Sequence, residues 1–440
     1  MEVFLSACYF FLGMYLIGKW KFFQIPGLPN HVFRILFIIK VLAAIALFTI
    51  YTRFYTDRAN ADIFRYYDDS IQIFNSLFHQ PLDFFRMVTG VGGDAPHLLP
   101  RYESMRNWYN TELVFNDSRT MIRLSALMRI FSLNTYFPQV VIFCFLAMTG
   151  LTGIFKVLRH HLPGKDVLLI LLIYLLPSTL MWTSGLIKEA FLVFAMGLFI
   201  FHFQQVVSLG RITLTNGLNL VFMLLVMFNI KAYVFFLLLP VLFGWWMFSA
   251  SRHLTFLKVV VVYVVYFFIL AASAMTVTGR KVPALLSAKQ AEFYAVAQRD
   301  HARSVVKIPR LTDDWSVLIS SSPGAFLRTL VYPFPGQAHN LLMWFSVLEN
   351  LLILGLMIFL AITIRWGNLN GLSAFTSGVF FFAVSLFALA GMVVPVIGAL
   401  VRYKVPALPF ILVPLVYWSP LNFDYSALVN RVRLRNSSFK

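Results

Sequence analysis

Apolar residues in this chain run in long, nearly unbroken blocks, not at one face of a helix or in alternation. Eleven blocks reach, or nearly reach, the roughly 20 residues a membrane helix requires: 2–18, 36–55, 137–157, 166–183, 187–207, 216–230, 232–249, 258–277, 340–364, 372–394 and 403–419. The pattern predicts an all-α polytopic membrane protein with about 11 transmembrane helices, forming a single integral membrane domain over 1–440. The blocks 216–230 and 232–249 are separated by little more than Lys231.

The polar residues between the blocks fix an expected orientation. One set of short connections, with the C-terminus, holds fifteen basic residues, among them Lys19, Lys21, Arg34, Lys40, Lys156, Arg159 and Lys165. The short connections of the other set hold Lys188, Lys231, Arg402 and Lys404. Cytoplasmic loops collect Lys and Arg, so the N-terminus is expected outside and the C-terminus inside. Two long loops, 56–136 and 278–339, then lie outside and contain 13 of the 18 acidic residues. Residues 121–133 suit a helix lying in the membrane interface, and 284–299 have helical composition.

Composition agrees with this picture: 60% of residues are hydrophobic and 12% charged, about half the charge of a soluble domain. A net charge of +18 would suggest nucleic acid in a soluble protein. Here cytoplasmic loops account for it, and no nucleic-acid partner is expected. Cys8 and Cys144 both lie in apolar runs, which leaves no disulfide framework or cysteine metal site. Leu5-Ser6-Ala7-Cys8 spells a lipobox without a preceding apolar region, and Glu2 stands where a signal peptide would be basic. The first block is therefore expected to stay as an uncleaved span.

Candidate chemistry collects at the external level. Asp57, Asp62, Asp68 and Asp69 follow the second block. In a helix over 60–72, Asp62, Tyr66 and Asp69 share one face, and Arg65 can pair with Asp68 or Asp69. A carboxylate at the membrane edge is suited to general-base work; the same residues also suit a solvated helix with ion pairs. Trp182 to Glu189 forms a tight turn that presents Lys188 and Glu189. Lys231 and Tyr233 stand at the next external turn, and Arg402-Tyr403-Lys404 opens the last block. Glu349 lies inside the ninth block, where an acid is a candidate functional group or a structural bond between helices. Lys188, Lys231 and Arg402 come from separate hairpins but share one predicted depth with the Asp cluster. Such cations suit a phosphate or pyrophosphate head group. No P-loop, G-x-G-x-x-G, G-x-S-x-G or H-E-x-x-H motif occurs. A divalent cation on the Asp cluster is chemically suitable, because hard cations favour carboxylate oxygen.

These features resemble the GT-C superfamily of membrane glycosyltransferases, which take sugars from polyprenyl-phosphate carriers. The likeness rests on Ala61-Asp62 after a span with Tyr66 four residues on, on the helix at 121–133, and on Arg402-Tyr403-Lys404-Val405-Pro406-Ala407-Leu408-Pro409. That last run looks like the R-[FY]-x-x-P-x-x-P stretch of lipid-linked mannosyltransferases. Pro177 to Glu189 is similar to a segment of multispan proteins of bacterial surface-polysaccharide synthesis. The chain departs from the family in having Gly398-Ala399-Leu400-Val401 before the arginine, no tandem acidic pair at the first-loop position, and an additional N-terminal span. The resemblance implies an inverting transferase in the bacterial inner membrane, working on the external face in cell-envelope polysaccharide or glycolipid synthesis. Its partners would be a polyprenyl-phosphate-linked sugar donor and a glycan or lipid acceptor. Asp62, or else Asp57, would be the base, and Arg402, Lys188 and Lys231 would hold the phosphate. A polysaccharide polymerase or ligase using a lipid pyrophosphate fits the same residues. A flippase for a lipid-linked sugar, or an envelope scaffold, are the competing classes.

Overall fold

In a computed structural model the chain is helical. Residues 1–54, 58, 61–109, 117–250, 255–299, 302, 304–338, 341–364, 371–421 and 425 are described, and among them β-structure is confined to two isolated bridges. The helices are α1 Glu2–Lys19, α2 Asn30–Arg53, α3 Asp62–His79, α4 Pro81–Thr89, α5 Leu99–Glu103, α6 Asp117–Phe131, α7 Tyr136–His161, α8 Asp166–Ile170, α9 Pro177–Trp182 and α10 Lys188–Leu209. They continue with α11 Leu214–Phe248, α12 Thr255–Thr278, α13 Val282–Arg299, α14 Trp315–Val331, α15 Leu341–Thr363, α16 Ala374–Val393, α17 Ile397–Tyr403, α18 Leu408–Ile411 and α19 Val413–Trp418.

Eight of these helices are long and apolar enough to cross a membrane, among the described residues: α1, α2, α7, α10, α11, α12, α15 and α16. The expected eleven differ in three places. Blocks 216–230 and 232–249 are two helical halves of α11 that meet, as the sequence suggested, at Lys231, whose backbone is non-helical (φ −150°, ψ 80°); α11 counts once among the eight. Block 166–183 is one helix over Asp166–Leu175, π-helical in its second half, which stops at Leu176 (φ −59°, ψ 127°) before α9. Block 403–419 is broken into the end of α17, then α18 and α19. Hydropathy registers apolar content and not continuity, and Pro177, Pro406, Pro409 and Pro414 stand at or beside these breaks.

The chain divides into two compact units. The first comprises Met1–Val157, Leu180–Val206 and Arg211–Ala232. Here α3, α4 and α6 form a layer against one end of the long helices. Glu2 Oε1 accepts from the backbone N–H groups of Tyr136 and Phe137 at 3.1 and 2.8 Å, satisfying the exposed donors at the start of α7. Tyr9 donates to the Phe131 carbonyl at 2.9 Å, Tyr67 to Asn134 O at 2.8 Å and Tyr136 to Ile63 O at 3.1 Å. The start of α1 and the start of α7 are thereby tied to the α3–α6 layer.

Helix α6 covers most of the stretch 121–133 expected as an interfacial helix, and one of its faces packs into the protein while Ile130 and Phe131 are exposed. Met121, Ile122, Ser125, Ala126 and Arg129 are buried. Arg129 donates to Ser70 Oγ at 2.8 Å, and also to Tyr67 O and Asn134 Oδ1. Its guanidinium lies 3.7 Å from the Tyr67 ring centroid. The basic residue that suggested a lipid surface instead bonds α6 to α3. Lys40 also moves. Helix α2 begins directly after Pro29, so Lys40 lies inside a span and not in a short connection; it is buried and donates to Thr183 Oγ1.

Helices α7 and α10 pack backbone to backbone. A Cβ on Gly197 would stand 1.9 Å from Gly150 O, and one on Gly150 would stand 2.3 Å from Val193 O. Small residues allow such an approach between membrane helices. Gly197→Ala is therefore expected to destabilise the first unit by about 1–3 kcal/mol, measured by thermal unfolding in detergent. An unchanged midpoint would show that the two helices separate freely.

The second unit comprises Leu158–Thr179, Val207–Gly210 and Tyr233–Lys440. The predicted helix at 284–299 is α13. The same loop also contains α14, which packs on α16, with Thr329 donating to Phe387 O and Arg328 to Gly391 O, each at 2.8 Å. The run Ser320-Ser321-Ser322-Pro323-Gly324 reads as a helix breaker, and packing against α16 overrides it.

Candidate functional site

Helix α3 places Asp62 in its first turn, where the helix dipole favours a carboxylate. Asp62 pairs with Arg65 at 3.1 Å, and both are partly exposed. One turn on, Tyr66 is buried. The Lys188 ammonium lies 5.4 Å from the Tyr66 ring centroid and donates to Ser118 Oγ at 3.2 Å. Ser118 stands in the first turn of α6, and Thr120 of the same turn donates to Asn229 O at 3.4 Å.

Glu189, next to Lys188, meets Lys231 at 2.8 Å, with side chains 1% and 4% exposed. Lys231 is the residue at which α11 breaks. The first unit thus gathers Tyr66, Lys188, Glu189 and Lys231 around the starts of α6 and α10. Lys231 was expected to hold phosphate; here its ammonium is paired with Glu189.

The Asp cluster separates into different bonds. Asp68 takes Arg58 through two contacts of 2.9 and 2.7 Å. Asp69 accepts from Arg106 N, Asn107 N and Asn107 Nδ2 at 3.0, 2.8 and 2.8 Å, so its buried carboxylate fixes the 104–108 turn. Arg65 therefore pairs with Asp62, not with Asp68 or Asp69 as the spacing allowed. Asp57 lies outside the described residues. Among the described residues no group of three or more His, Cys, Asp or Glu gathers to hold a metal ion.

The remaining candidates belong to the second unit. Glu349 is fully buried and accepts from the Ser178 N–H at the start of α9. Its other oxygen lies 3.5 Å from Lys404 Nζ, and Lys404 donates to Asn350 Oδ1 at 2.6 Å. The acid inside the ninth block thus bonds two broken segments. Tyr233 and Tyr403 stack with ring centroids 5.8 Å apart and planes 3° from parallel, and Phe293 meets Tyr403 at 5.7 Å. Arg402 precedes Tyr403 in α17.

Sequence reasoning missed Ser118 and Asn107. Asn116-Asp117-Ser118 before an apolar run is a helix-start signal, and it marks where α6 presents a hydroxyl to Lys188. Nothing local marks Asn107, whose partner is 38 positions away.

The Asp83 carboxylate lies on α4, away from these groups in sequence, and is nearly buried. A hydrogen bond from His97 at 2.9 Å, assisted by Arg86 at 3.3 Å and Arg101 at 3.8 Å, holds its carboxyl below the usual carboxylate range, against the opposing effect of burial. A depressed folded-state value adds stability above the unfolded value, near pH 4, and that stability disappears as pH falls through the folded value. Asp83→Asn should therefore lower the unfolding midpoint at pH 6, and the gap from wild type should close below about pH 4. A constant gap across a pH series would contradict this assignment.

Compared with protein-family models, characterised proteins and solved structures, the chain shows no match.

Proposed function

We propose that the chain is a glycosyltransferase that moves a sugar from a polyprenyl-phosphate carrier to an acceptor hydroxyl at the membrane face bearing the α3–α6 layer. One observation carries the reading: the Lys188 ammonium lies against Tyr66, one helical turn from Asp62. A base and a cation at that spacing suit the two ends of a sugar transfer. The Asp62 carboxylate takes the proton of the acceptor hydroxyl as its oxygen attacks the anomeric carbon with inversion. The bond from that carbon to the phosphate oxygen breaks, and the lipid phosphate leaves with the electron pair, facing Lys188. The Glu189–Lys231 pair holds the start of α10, and so positions Lys188. The proposal rests on the first unit alone. A polysaccharide polymerase using a lipid pyrophosphate would use the same groups.

A second reading draws on the second unit, where the buried Glu349–Lys404 pair joins segments broken within apolar sequence. Broken helices and intramembrane charges are features of transporters, and this reading is a flippase for a lipid-linked sugar. The test is turnover by purified protein in detergent, supplied with short-chain polyprenyl-phosphate sugars and candidate acceptors. Glycosidic product formed without a bilayer supports the transferase. Absence of product, together with movement of the lipid-linked sugar across proteoliposomes, would replace it with the flippase.

A further inference from the structure

Helix α4, with sequence Pro-Leu-Asp-Phe-Phe-Arg-Met-Val-Thr, has two apolar sides. Phe84 and Met87 are buried in the first unit, together with Asp83. On the other side Leu82 and Phe85 are 63% and 58% exposed, and Phe78, at the end of α3, is 69% exposed. Leu82 and Phe85 are three positions apart on α4, and Phe78 precedes them at the end of α3, across the non-helical Gln80 (φ −146°, ψ 79°). Large apolar side chains clustered in this way mark a surface that meets lipid or protein. Next to them stand the cations. Asp83 draws Arg86, Arg101 and His97 together, and the two guanidinium groups outnumber the one carboxylate. Exposed Leu82 and Phe85 with the part-exposed Arg86 beside them, and Phe84 and Met87 turned into the protein, suit a helix lying in a membrane interface. The same unit contains the apolar helices α1, α2 and α7, and the α3–α6 layer is bonded to the ends of α1 and α7. A bilayer surface therefore lies beside this layer.

We propose that α4 is an interfacial helix, with Phe78, Leu82 and Phe85 among the acyl chains and Arg86 and Arg101 on the phosphate of an anionic phospholipid. The occupant is a lipid and not a protein partner, because the exposed apolar residues are flanked by guanidinium groups already drawn together by a buried acid. The inference does not depend on the sugar-transfer reading.

The test uses the full-length chain with Cys8→Ser in nanodiscs, where buried Cys144 stays unlabelled. A nitroxide at Phe85→Cys, with Leu82→Cys as a second site, is expected to collide with oxygen and be shielded from a water-soluble nickel chelate. Arg86→Gln and Arg101→Gln should each reduce the association of spin-labelled phosphatidylglycerol, relative to phosphatidylcholine, by roughly fivefold. Free access of the nickel chelate would show a solvated helix, and exclusion of both reagents would show a protein contact; either result overturns the proposal. Unchanged lipid preference in both arginine variants would overturn the headgroup site.

Discussion

Asp62→Asn is expected to slow sugar transfer by about 10²–10⁴-fold, the usual contribution of a general base, while leaving the fold intact. The amide keeps the size of the carboxylate but cannot take a proton from the acceptor at neutral pH. Stability should change little, because Asp62 and its ion-pair partner Arg65 are both partly exposed, and such pairs contribute about 0–1 kcal/mol. The position of α3 depends on other bonds: the Asp69 contacts to Arg106 and Asn107, and the Arg129 contacts to Ser70 and Tyr67. Asp69→Asn is the contrasting variant. It weakens three bonds to the 104–108 turn and should lower the unfolding midpoint, with activity falling in step with the folded fraction. The measurement is single-turnover transfer in detergent, with helical circular dichroism and elution profile as fold controls. A well-folded Asp62→Asn protein within about threefold of wild type would remove Asp62 as the base.

The sequence makes part of this arrangement legible. The helical class and most of the long apolar helices follow from block length, and the shared face of Asp62, Tyr66 and Asp69 follows from their spacing. What each carboxylate bonds does not follow, because the partners come from elsewhere: Arg58 reaches Asp68 from before α3, and Asp69 takes a turn 37 and 38 positions away. Likewise Lys231, read as a phosphate cation, meets an acid from another helix. Lys40 looks like a flanking charge because the apolar block begins near it, whereas the helix begins at Asn30. Helix α14 is hidden by its Ser-Pro-Gly run. In each case a local rule is overridden by a contact made across the fold.

Lys231→Met is expected to cost about 3–5 kcal/mol of stability, the usual penalty for removing one partner of a buried ion pair. The 2.8 Å contact and the near-complete burial of both side chains leave Glu189 no access to water once the ammonium is gone. A buried carboxylate that has lost its ammonium is desolvated without that charge or is protonated, and both are unfavourable. Replacing both partners removes that penalty, so Lys231→Met with Glu189→Leu should recover most of the loss. Unfolding by denaturant in mixed micelles measures both effects. The double variant also isolates the role proposed for the pair. If the pair positions the start of α10, restored stability should come without restored turnover, because Lys188 adjoins Glu189 and its contacts to Ser118 and Tyr66 depend on that turn. Turnover restored along with stability would make the pair a structural element alone. A single-variant cost under about 1 kcal/mol, the range of solvated pairs, would show that water reaches the Glu189 carboxylate.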